Sequence, residues 1–117
     1  MFFRTMLSVF FISAFSSIPA VSFTGNEFYE SASHYQFERE NPDLEPSFRS
    51  GMYMGYVKGV ADIFGMQEKV CTNYDTSSFG EVADAVASHI IDNEWLKDLP
   101  PIIGVSNAFM ELYPCDN

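Results

Sequence analysis

The sequence predicts a small all-α domain, a four-helix-like bundle stapled by one disulfide. Three observations carry that expectation: four segments place apolar residues at helical spacing, two of them open on a capping box, and the chain holds two cysteines in all. The 117 residues are enough for one domain. No segment reads as a convincing strand.

Residues 1–22, MFFRTMLSVFFISAFSSIPAVS, read as a cleaved signal peptide. Arg4 supplies the positive end, Leu7 to Phe15 a short apolar run, and Ala20-Val21-Ser22 the small residues before a cut after Ser22. Ser8 and Ser13 interrupt the run, which falls short of the ~20 apolar residues of a spanning helix. The expected mature domain is residues 23–117, with no membrane insertion after cleavage, and the periplasm is the expected compartment. The full chain carries a formal charge of -10 and has a pI near 4.3. Loss of Arg4 leaves 5 basic against 16 acidic residues, or -11. Nucleic acid is excluded as a partner, because phosphate binding needs a basic face. A basic protein partner is allowed.

The first helix is expected from Thr24 to about Ser33, where Thr24-Gly25-Asn26-Glu27 fits a capping box and Phe28, Tyr29 and Ala32 form an apolar edge. Residues 34–46, HYQFERENPDLEP, read as a polar loop with solvated acids. The second helix is expected from Ser47 to Gly65, with Met52, Tyr56, Val60 and Ile63 or Phe64 as its core stripe. Gly51, Gly55 and Gly59 recur every four residues; each costs about 1 kcal/mol in a helix, so close packing of another helix on that face is expected. Residues 67–77 form a linker holding Cys71.

The third helix opens at Ser78, with Ser78-Phe79-Gly80-Glu81 as the second capping box and Phe79, Val82, Ala83, Val86 and Ile90 facing the core. Residues 92–100, DNEWLKDLP, are an acidic connector with the single tryptophan. The fourth helix starts near Pro101, packs Ile102, Val105, Ala108, Phe109 and Leu112 inward, and stops at Pro114. In an oxidising compartment Cys71 and Cys115 allow one intramolecular bond. A zinc site is disfavoured, since no CxxC or HxxxH spacing exists.

No catalytic set, metal site or cofactor motif emerges, so an enzyme is not expected. His34 and His89 are the only histidines, and no GxSxG elbow supports a nucleophilic serine. Glu81 and Asp84 read as a solvated helix face, and Asp62 as a buried structural acid with Lys58 as a possible partner.

Taken together, TGNEFYE (24–30), GYVKGVAD (55–62) and AFMELYPC (108–115), in that order around a cysteine-led linker, resemble the Rap/Tai group of periplasmic immunity proteins against type VI secretion amidase effectors. The resemblance implies an all-helical, disulfide-stapled domain, often a homodimer, that blocks a peptidoglycan amidase. It also implies a second cysteine pair near Ala32 and Tyr53, absent here, and a proline where Asn73 stands. Acidity would speed capture of a basic hydrolase, and aromatic anchors are favoured in interfaces. The expected partner-binding patch is therefore Asp92, Glu94, Trp95 and Asp98. The alternatives are that Trp95 packs over the bundle end, and that the protein is a housekeeping envelope module of the same fold.

Overall fold

The structure, a computed structural model, describes residues 23–115. The expected signal peptide lies outside the described residues. Four α-helices follow in order: α1 (Gly25–Glu40), α2 (Phe48–Met66), α3 (Phe79–Asp92) and α4 (Pro101–Leu112). A short 3-10 helix, Glu94–Asp98, bridges α3 and α4. The described residues contain no strand.

The cap residues of both predicted capping boxes start their helices. Thr24 Oγ1 accepts from the Glu27 amide at 3.1 Å and Ser78 Oγ from the Glu81 amide at 3.2 Å, each satisfying a first-turn donor without a helical partner. Ser47 caps α2 in the same way, through the Ser50 amide.

The first helix runs seven residues further than its sequence suggested. Phe28, Ala32 and Tyr35 lie four and three apart and are all buried, so the core stripe crosses into the charged stretch. Asn41 ends the helix, its side-chain amide donating to the Phe37 carbonyl at 2.8 Å, just before Pro42. The acids that follow Ser33 are not all solvated. Glu38 accepts from the Ser47 amide at 2.7 Å and from the Ser50 hydroxyl, pinning the turn between α1 and α2.

The second helix is rotated from its expected setting. Its core face is Tyr53, Val57, Val60 and Ala61, while Met52 and Ile63 point outward. Tyr53 decides the rotation. Its ring lies 5.4 Å from Phe28 and 4.8 Å from Tyr35, over the face of α1 that includes Ala32. Its hydroxyl donates to the Ala83 carbonyl of α3 at 2.6 Å. The glycine face is therefore open. A methyl group placed at Gly51, Gly55 or Gly59 would meet no atom within 4 Å, so no helix among the described residues packs there.

Val82, Ala83, Val86 and Ile90 of α3 are buried, joined by Ala87. In α4, Val105, Ala108 and Phe109 are buried; Ile102, expected inside, is exposed. Phe109 sits in an aromatic ring of Phe64, Tyr74 and Tyr113. The Cys71–Cys115 disulfide closes the domain. Beside it, the Cys71 amide donates to the Tyr113 carbonyl at 3.1 Å, and the Thr72 amide and hydroxyl both donate to the Pro114 carbonyl. Asn73 has φ 60°, a conformation closed to proline, whose ring holds φ near about −65°. The linker here turns where a proline could not.

Candidate protein-binding surface

The connector between α3 and α4 is built as a rigid projection. The Asn93 side-chain amide donates to the His89 carbonyl at 2.8 Å and its backbone amide to Ile90, closing α3. The Leu96 amide returns to the Asn93 carbonyl at 2.9 Å, and the Leu96 side chain is buried. Gly104 of α4 allows that close seat, with Leu96 Cβ and Ile90 Cδ1 nearest its missing side chain.

The first turn of α1 holds the connector from the other side. A Cβ on Gly25 would collide with the carbonyls of Lys97 and Leu99, so only glycine permits this approach. Lys97 places its ammonium 5.0 Å from the Tyr29 ring centroid. Gly25 and Tyr29, two residues of the N-terminal motif, thus position the connector. The 3-10 helix packs on α1, α3 and α4.

On this support stand the four residues singled out from the sequence. Asp92 ends α3, Glu94 and Trp95 open the 3-10 helix, and Asp98 ends it; all four are exposed. Trp95 leaves 53% of its surface in water, which argues against packing over the bundle end as its main role. Among the described residues, Asp92 and Asp98 make no ion pair, whereas Glu94 lies 4.0 Å from Lys97. The structure thus gathers all four on one segment whose backbone is fixed by Leu96 and Gly25.

A second polar cluster was not legible in the sequence. Arg39 of α1 grips Asp84 of α3 with two bonds of 3.0 Å, and Tyr35 Oη donates to Asp84 Oδ1 at 2.7 Å. The Arg39 guanidinium holds the Asp84 carboxyl below the usual range, while burial and the bond to Asp84 raise the Tyr35 phenol. A charged, multiply bonded carboxylate is a clamp between helices, and it cannot serve as a general acid at neutral pH. Asp84 thus keeps its place on a solvated face beside the exposed Glu81, but as a paired carboxylate and not a free one. Asp62 pairs with Lys58 at 2.8 Å as anticipated, but both side chains are exposed, which corrects its expected burial.

His34 is exposed, and His89 Nε2 lies 2.7 Å from Asn107 Oδ1, between α3 and α4. No group of three potential metal ligands occurs among the described residues. No helix there is long and apolar enough to cross a membrane.

The fold defines a class: an all-helical domain closed by one disulfide among the described residues. The family model of the Rap1a immunity proteins matches residues 24–115, and the chain belongs to that family. No curated protein and no solved structure matches the chain.

Proposed function

We propose that this immunity protein acts in the periplasm, binding and blocking a peptidoglycan amidase delivered by type VI secretion. Family membership supports the immunity role. The observation that carries the mode of action is the connector, where Trp95 stands exposed among Asp92, Glu94 and Asp98 on a backbone held by Gly25 and Leu96. A blocking protein needs no catalytic residue. It needs a surface already shaped for its partner, since ordering a loop on binding costs affinity.

The chemistry of the patch suits a basic hydrolase. Exposed carboxylates accelerate encounter with a positive surface, and an aromatic side chain at the centre supplies the desolvated anchor. The test is inhibition of the peptidoglycan amidase effectors of the source organism, measured on purified peptidoglycan. The mature chain is expected to abolish hydrolysis at equimolar amounts. Trp95→Ala is expected to weaken inhibition by at least tenfold, on the order of 1.4 kcal/mol, with unchanged circular dichroism. Full inhibition by the variant would remove the connector from the interface; no inhibition by the parent would remove the amidase reading.

A further inference from the structure

We propose that the groove between α1, α2 and the turn joining them is a second docking site, which takes one large apolar side chain carried on a basic segment of a partner protein. Pro42, Leu44 and Pro46 of the turn and Met54 of α2 wall it, and the buried Tyr35 and Ser50 form its base. Leu44 is 47% exposed and Met54 37%, so both walls offer apolar surface to an incoming group. The groove holds about 190 Å³. Sites for drug-sized molecules start near ~300 Å³, so a single side chain suits this one better than a cofactor or metabolite.

The groove is built before any partner arrives. The Leu44 amide donates to the Asn41 carbonyl at 3.0 Å, and the Asn41 side chain donates to the Phe37 carbonyl. Glu38 holds the far end of the turn through the Ser47 amide. Two prolines fix the backbone between these bonds. Leu44 is thus kept at the surface by a braced turn, and little ordering remains to be done on binding.

Charge selects the occupant. The eight residues from Glu38 to Glu45 hold four acids and one base. Glu38 is engaged by Ser47 and Ser50, and Arg39 by Asp84. Glu40, Asp43 and Glu45 are exposed and make no ion pair among the described residues. Leu44 stands between two of them, so the complementary segment carries an apolar side chain flanked by Lys or Arg. Acidic partners are repelled from this rim. The site is separate from the connector. Glu38 lies thirteen residues along α1 from Gly25, about 20 Å of helix, so both surfaces can be occupied at once.

An NMR titration of the mature chain tests this, and its outcome is independent of which effector the connector binds. The probe is an end-capped pentapeptide, a leucine with two lysines on each side. One control replaces its leucine by serine, the other its lysines by glutamate. The amide signals of Leu44 and Met54 are expected to shift and saturate with a Kd on the order of 1 mM or tighter, and with neither control. Leu44→Ser and Met54→Ser are each expected to weaken binding at least tenfold. Both side chains are exposed, so circular dichroism is expected to match the parent's. Absence of shifts at Leu44 and Met54 would overturn the proposal, as would shifts confined to the Trp95 connector. Equal binding of the serine peptide, or undiminished binding by both variants, would reduce the site to unspecific charge attraction and equally overturn it.

Discussion

Tyr53 carries more of the architecture than any other single side chain. It is fully buried, touches two aromatic rings of α1 and bonds to α3 through its hydroxyl. The Ala83 carbonyl lies inside α3 and keeps its helical partner, so Tyr53→Phe is expected to cost only about 1 kcal/mol, read by urea denaturation at neutral pH. Alkali should reveal the residue more strongly. Burial raises the Tyr53 phenol, and burial with the Asp84 contact raises Tyr35. Raised folded-state values mean the native chain holds protons that the unfolded chain releases near pH ~10. Stability from these phenols is complete below that point and falls as pH rises above it. Tyr53→Phe should therefore shift the alkaline midpoint upward relative to its neutral-pH stability; an unchanged alkaline profile would show that Tyr53 ionises freely.

Gly25 is the other residue with a consequence out of proportion to its size. Gly25→Ala must move the connector, because the new methyl meets the Lys97 and Leu99 carbonyls. A loss of about 1–3 kcal/mol is expected in thermal unfolding, with weaker effector binding. Gly80→Ala is the control, since its nearest neighbours stand at 3.9 Å and its stability should be unchanged or higher. The sequence offered Gly25 as part of a motif. It could not offer the reason, which lies in carbonyls some seventy residues away.

At the scale of elements, helix starts were readable and helix ends and faces were less so. Starts depend on local chemistry: Thr24, Ser47 and Ser78 each bond the amide three residues on. The end of α1 depends on Tyr35, whose burial is decided by Tyr53 and Asp84 on other helices. A stretch as charged as Gln36 to Glu40 looks like a loop until Arg39 and Glu38 find their partners. The rotation of α2 has a related cause, since its apolar residues are not confined to one side and periodicity does not say which side is inside. The connector fared better, because a lone tryptophan among acids is visible in the sequence. That it stays exposed is visible only in the structure.

The linker and C-terminus form a unit around the Cys71–Cys115 bond. Cys71→Ser with Cys115→Ser is expected to lower stability by roughly 2–4 kcal/mol, measured by urea denaturation of oxidised parent and variant. Three backbone-directed bonds remain between the Cys71–Thr72 segment and Tyr113–Pro114, so the variant should keep its helical content. Collapse of that content would show that the hydrogen bonds form only when the disulfide holds them.

The whole molecule is an acidic body with two contrasting surfaces. One is the Trp95 connector, polar at its rim; the other is the apolar outward face of α2. The first suits capture of a basic enzyme. The central claim is that the protein binds a cell-wall amidase. The most direct test is recovery of partners by the tagged mature chain from envelope and secreted fractions in which amidase effectors are shown to be expressed, read by mass spectrometry. One stoichiometric peptidoglycan amidase is the predicted result, lost or weakened in Trp95→Ala. Recovery of no hydrolase from those fractions would contradict the account.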